Sequence, residues 1–146
     1  MRKIYLLFML IFLNAMDFNN NFSGYIWSEW SDVKKESFLS GFLSSQLILD
    51  QHLKEAVRYD KAGNPYWQKP FVIVMYEKDL SEYSSVKVGF NFKELKNRID
   101  MFYDEEKNLS ILLVDAIRIV CLRADGDIER ADWFVFQSRQ KIESKN

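Results

Sequence analysis

The sequence predicts a single all-α domain, with four main helices arranged like a bundle and an irregular segment in the middle of the chain. Apolar residues recur at spacings of three and four over residues 31–59, which is typical of an amphipathic helix. A capping pattern starts a second apolar run at residue 91, and residues 109–123 are apolar nearly all round. A helix without a wide polar face is normally central in a bundle, so the three observations together indicate the fold class.

The first main helix is predicted over residues 31–59. Ser31 is a suitable N-cap, and Asp32 lies in the first turn, where a negative charge interacts favourably with the helix dipole. The Gly-Asn-Pro sequence at residues 63–65 then stops helical structure.

The irregular segment covers residues 59–89 and has two interpretations. The apolar run at residues 71–76 is compatible with a buried strand or with one apolar helical turn, since periodicity does not distinguish them at this length; as a strand it can pair with the alternating residues 86–88 in a small β-hairpin. The alternative is a loop with a short helix near residues 79–83, because no tight-turn sequence joins the two runs.

Two helices are predicted to follow this segment. Asn91 caps the first of them, and Glu94 lies three residues later, as in a capping box. Asn108 caps the next helix, over residues 109–123, in which Asp115 and Arg118 are three residues apart and are expected to pair.

The last main helix is predicted from residue 128 to about residue 141. Gly126 suits the left-handed conformation that closes the preceding helix, and Asp127 caps the new one.

The N-terminus is predicted to be a secretory signal peptide within residues 1–23. Arg2 and Lys3 precede ten uncharged residues, 4–13, and a polar stretch follows. Cleavage between residues 15 and 23 leaves a helical domain of residues 24–146 in the periplasm or outside the cell. The alternative is an uncleaved anchor, because no small-x-small triplet follows the apolar run. After cleavage no membrane span is expected, since no second apolar run is long enough.

Composition argues against several classes of function. The 20 basic and 21 acidic residues give a net charge of −1, so no nucleic-acid partner is expected. One cysteine and one histidine are too few for a disulfide within the chain or a zinc site built from those ligands, and no metal or cofactor is expected. Cys121 and His52 both lie in apolar helical patterns, which argues against a cysteine–histidine nucleophile.

The strongest candidates for acid–base catalysis are two carboxylates one helical turn apart, Asp100 and Asp104. Paired carboxylates can catalyse hydrolysis when burial separates their pKa values. The same residues are also typical of the solvated end of a helix. A small hydrolase is therefore the alternative function, and the first expectation is that the protein is not an enzyme.

Residues 102–108 join two predicted helices and combine aromatic with polar side chains. The hydroxyl of Tyr103 needs a partner if it is buried, and Asp104 or Asn108 can supply one. These three residues are expected to form a structural polar junction that fixes the angle between the helices. The alternative is that they form the floor of a pocket.

Two parts of the sequence together resemble a family of small, exported, helical bacterial proteins of unknown function. The early part begins at Trp30 and Lys34 or Lys35 and continues to the Gly-Phe-Leu sequence at residues 41–43. The later part is the junction Phe-Tyr-Asp-Glu-Glu-Lys-Asn-Leu-Ser-Ile at residues 102–111. The architecture is also similar to that of Tai-type immunity proteins, which bind and block secreted amidase toxins. Neither resemblance implies a catalytic residue.

The first functional hypothesis is an exported, non-enzymatic binding or accessory domain with an unknown protein partner. Tryptophan and tyrosine are enriched in binding hot spots. The tentative contact residues are therefore the aromatic residues that flank the first main helix: Tyr25, Trp27, Trp30, Tyr66 and Trp67. The alternative is that these residues only cover the core.

Overall fold

The computed structural model describes residues 22–64, 66–85 and 91–143, which form six α-helices and one short 3₁₀ helix. In chain order they are α1 (Gly24–Glu29), α2 (Asp32–Ala62), α3 (Phe71–Ser81), α4 (Phe92–Tyr103), the 3₁₀ helix (Glu106–Asn108), α5 (Leu113–Ala124) and α6 (Ile128–Glu143). The prediction of an all-α, bundle-like fold is confirmed. The predicted signal peptide lies almost entirely outside the described residues.

The core is formed by four helices that pack in the order α2, α4, α5 and α6. Helix α5 contacts both α4 and α6 and buries seven of its twelve residues, as expected for the central helix. The largest fully buried side chains come from α1, α2, α4, α5 and the turn before α5: Trp27, Leu39, Leu95, Ile99, Ile111, Leu113, Ile117, Ile119 and Cys121. Helix α6 adds the smaller Ala131.

The predicted caps are observed at three helix ends. The Ser31 hydroxyl accepts a hydrogen bond from the backbone N–H of Lys34 (3.4 Å), and the Asn91 side chain accepts one from the N–H of Glu94 (2.8 Å). Gly126 has φ = 82°, the left-handed conformation that favours glycine between α5 and α6.

Two predictions around α5 are wrong. Asn108 does not cap this helix, which begins at Leu113, because its buried side-chain N–H donates instead to the Phe102 carbonyl. Arg118 does not pair with Asp115: it donates to Glu82 (2.6 Å) and Asp79 (3.1 Å), both at the C-terminal end of α3.

The described part of the middle segment, residues 59–64 and 66–85, contains a helix and no strand. Residues 71–76, one interpretation of which was a strand, form the first turns of α3, and residues 86–88 lie outside the described residues. The half-buried Ile73, Glu77 and Leu80 recur at helical spacing and face α2, which explains why this run is helical. The β-hairpin is therefore not present in the described part of the segment.

Helix α3 and the second half of α2 form an antiparallel pair that we call the outer hairpin, residues 44–81. Among residues 44–62 and 71–81, all of which are described, none is buried. With about 1.5 Å per residue, the 31 residues of α2 span about 46 Å. The first turns of α2 pack on the core through the buried Lys35 and Leu39, and the outer hairpin extends beyond it.

Gly24 of α1 packs closely against Tyr103, and this contact can be tested by substitution. A Cβ atom on Gly24 would lie 2.4 Å from Cδ1 of Tyr103 and 2.8 Å from the Leu109 Cα. We expect Gly24→Ala to lower the free energy of unfolding by about 2 kcal/mol, because the Tyr103 ring and the backbone must move. Chemical denaturation followed by helical circular dichroism measures this change.

The matched control is Gly41→Ala, inside α2. Apart from the neighbouring residues and backbone of α2 itself, no described atom lies within 4 Å of the added Cβ, so alanine is expected to raise the free energy of unfolding by about 1 kcal/mol through helix propensity. Equal effects at the two glycines would contradict the close contact between α1 and Tyr103.

Candidate functional site

Polar side chains join α1, α2 and α4 at the core end of the molecule. The Trp27 indole N–H donates to Oδ1 of Asp100 (2.7 Å), and Lys35 Nζ donates to the same oxygen (2.8 Å). Lys96 lies 3.5 Å from the second carboxylate oxygen and donates to Asp32 (2.9 Å). The hydrogen bond from Lys96 lowers the pKa of Asp32, and the same bond raises the pKa of Lys96. The cluster thus holds three helices together through one carboxylate.

The two predicted carboxylates, Asp100 and Asp104, line one cavity of about 230 Å³ together with Lys35 and Tyr103. Both oxygens of Asp100 are engaged by the donors just described, whereas Asp104 is exposed at the end of α4. Because the Asp100 carboxylate is already bound by an indole N–H and two ammonium groups, its geometry favours a structural role over proton transfer. This geometry therefore gives little support to the alternative that the protein is a small hydrolase.

The junction after α4 holds the bundle together through two of its three predicted residues. The Tyr103 hydroxyl donates to the Ile111 carbonyl (3.1 Å) rather than to Asp104 or Asn108, and burial raises the pKa of this phenol far above its ordinary value. Asn108 donates to the Phe102 carbonyl (2.7 Å) and accepts a hydrogen bond from Arg139 (2.6 Å). Asn108 thereby connects α4, the 3₁₀ helix and α6.

The five predicted contact residues do not form one surface. Trp27 is only 1% exposed, and this part of the prediction is wrong because its ring is buried above Lys35 with its N–H on Asp100. Trp30 is half-buried against Phe38, whereas Tyr25 is exposed.

The remaining pair of contact residues lies at the other end of the molecule. Tyr66 is exposed, and Trp67 is half-buried with its N–H donating to Asp60 (2.5 Å). They follow α2, whereas Tyr25 and Trp30 precede it, so the two groups are separated by about 46 Å of helix. Only Tyr66 and Trp67 belong to the outer hairpin.

An exposed apolar surface on α3 and α2 is not among the contact residues predicted from the sequence. Five large apolar residues of α3 are 46–76% exposed: Phe71, Val72, Val74, Met75 and Tyr76. Leu47, Ile48 and Leu49 of α2 are exposed as well. These three residues are consecutive, and three consecutive residues of one helix cannot all face the same core. The run at residues 47–49 is therefore the feature of the sequence that could have indicated an exposed apolar surface.

Charged residues anchor the C-terminal end of this surface to the core. Glu82, which is buried, accepts a hydrogen bond from Arg118 of α5 and lies 2.5 Å from Arg130 of α6. The guanidinium of Arg118 also stacks 4.0 Å from the centre of the Phe134 ring. The outer hairpin is thus fixed at one end while its apolar residues face outwards.

Cys121 and His52, which the sequence disfavours as a nucleophilic pair, lie in different environments. Cys121 is buried within α5, and burial raises the pKa of its thiol to about 12, so the thiol is protonated at neutral pH. His52 is exposed on the outer hairpin. Across residues 22–64, 66–85 and 91–143, no group of three histidine, cysteine, aspartate or glutamate side chains is arranged to hold a metal ion.

None of the helices in the described ranges is both long enough and apolar enough to cross a bilayer.

The resemblance to the exported helical family stays a prediction. No family model matches the chain, and no curated protein or solved structure is significantly similar to it.

Proposed function

We propose that this chain is an exported, non-enzymatic protein-binding domain and that the outer hairpin is its contact surface. One observation carries the proposal: α3 places five large apolar side chains, from Phe71 to Tyr76, in an exposed position on a helix that is held firmly at its other end. A helix that is apolar on several faces is normally covered by other protein.

The size of this surface supports binding to a protein. Burying one aromatic side chain removes about 150–250 Å² of surface, so the exposed fractions of Phe71 and Tyr76 alone amount to on the order of 300 Å², to which the three other residues of α3 add. The largest apolar patch on a typical monomer is about 300–600 Å² and often has a function. The apolar residues of α2 add to the patch on α3.

We propose that the domain acts in the periplasm or at the cell surface. The support is the sequence of the N-terminus, where two basic residues precede a short apolar run. The resemblance predicted from residues 102–111 is also to exported proteins, and it stays a prediction. A net charge of −1 gives the surface no electrostatic reason to bind nucleic acid.

Site-specific photocrosslinking in the source cells tests the contact surface. A photoreactive amino acid replaces Val72 on α3, which is 54% exposed, and in a second strain it replaces Val33 at the start of α2, which is 75% exposed. We expect a discrete crosslinked protein band from position 72 and none from position 33. Equal crosslinking from both positions, or none from position 72, would contradict the proposal.

A further inference from the structure

We infer that the partner of the outer hairpin is a second copy of this chain, and that two hairpins pack into an intermolecular four-helix bundle. This inference rests on the proposed function and adds the identity of the partner. Two antiparallel helices with an exposed apolar side are half of a four-helix bundle, and closed two-fold dimers are the commonest assemblies of identical chains.

The two flanks of the outer hairpin differ in chemistry. One flank contains a cavity of about 270 Å³ between α2 and α3, lined by Leu47 and Leu80 and by charged and polar residues that include Asp50, Lys54, Glu77 and Ser81. Because successive helix positions rotate by about 100°, Leu49 and Ala56 of α2 and Val72 and Tyr76 of α3 lie together on the opposite flank. We call these four residues the apolar flank.

The apolar flank is suited to meeting a copy of itself. Its four residues are exposed and carry no charge, so a two-fold contact brings apolar groups against apolar groups without like-charge repulsion. The nearby Asp79 is paired with Arg118, and Asp60 accepts the Trp67 N–H, so these two carboxylates already have partners within the chain. His52 lies at the edge of the apolar flank, where a symmetric contact leaves it at the rim.

The exposed apolar area supplies about half of the surface that a standard dimer interface buries on each partner. The exposed parts of the apolar flank and of Met75 provide on the order of 450 Å² per copy, from the areas typical of such side chains. A standard interface buries about 800 Å² per partner and surrounds an apolar centre with a polar rim. The remaining area is available from rim residues such as His52 and Tyr59, which are exposed on α2.

The test is the molar mass of the purified protein between about 1 and 100 µM, measured by light scattering or analytical ultracentrifugation. We expect twice the chain mass at the upper concentrations. Val72→Glu and Tyr76→Glu each place a charge in the apolar flank and are expected to raise the dimer dissociation constant at least 100-fold. Both side chains are exposed, so helical circular dichroism should show that the variants remain folded.

Matched controls have the same substitution at exposed positions away from the hairpin. Tyr25→Glu corresponds to Tyr76→Glu, since these tyrosines are 57% and 56% exposed, and Val33→Glu corresponds to Val72→Glu. We expect both controls to dimerise like the wild type. A dimer that is equally weakened by the control substitutions would overturn the inference.

Two other outcomes separate this inference from the proposed function. If the protein is monomeric at 100 µM but position 72 crosslinks to a different protein, the second-copy inference fails and the proposed function stands. If the protein is monomeric and position 72 forms no adduct in cells, both fail. A crosslinked band of twice the chain mass that contains only this sequence supports both.

Discussion

Replacing Trp27 with alanine is expected to lower the free energy of unfolding by about 4 kcal/mol, the range measured for removing a large buried aromatic side chain. The indole of Trp27 is fully buried, so alanine leaves a cavity between α1, α2 and α4. The same change also removes the N–H that binds Asp100 beside Lys35. Urea denaturation measured by tryptophan fluorescence and circular dichroism gives the difference.

Two further variants separate the role of the ring from that of its N–H. Trp27→Phe keeps most of the ring and removes the hydrogen bond to Asp100, so we expect a loss of about 1.5 kcal/mol. Trp67→Ala, at the exposed end of the outer hairpin, is expected to change stability by no more than about 1 kcal/mol. Equal losses for Trp27→Ala and Trp67→Ala would show that the two tryptophans do not have the separate roles assigned to them.

Asn108→Leu is expected to lower the free energy of unfolding by about 3 kcal/mol, even though leucine has the same branched side-chain shape. Asn108 is buried, and its amide joins the Phe102 carbonyl to the guanidinium of Arg139. Leucine leaves the carbonyl and the guanidinium without this partner. A buried polar group that loses its hydrogen bond costs more than the bond itself contributes.

Asn97→Leu is the control for this change, because Asn97 is exposed on α4. We expect it to alter the free energy of unfolding by no more than about 0.5 kcal/mol. If Asn108→Leu were as stable as the wild type, Asn108 would be dispensable and the polar junction would not fix the helices.

The helices of the core were predictable because each has local signals that agree with its packing. Ser31 and Asn91 cap their helices as expected, and the apolar periodicity around them corresponds to buried faces. Periodicity and capping act within a few residues, so one sequence contains enough information to place them.

Contacts between distant residues were not predictable in the same way. Arg118 was expected to bind Asp115 within its own helix but binds Glu82, 36 positions earlier in the chain. Asn108 was expected to cap a helix but connects the 3₁₀ helix with α4 and α6. When a side chain has several chemically suitable partners, the tertiary positions of those partners decide which pair forms. Local spacing in the sequence does not determine these positions.

The exposed apolar surface was missed for a related reason. The run at residues 71–76 has the composition of a buried strand, and burial was assumed from composition alone. In the structure the same residues form a helix, of which only one side faces α2. Apolar composition predicts that a segment will be covered, but it does not distinguish cover by the same chain from cover by a partner.

Photocrosslinking from position 72 in the cell tests most directly whether the outer hairpin binds a protein. Val72 is exposed on α3, and Val33 provides an exposed position on α2 outside the hairpin. We expect one specific adduct from position 72, weakened by Tyr76→Glu, and none from position 33. A position-72 probe that forms no adduct in the cell, or one that reacts no more specifically than position 33, would contradict the assignment of the hairpin as a contact surface.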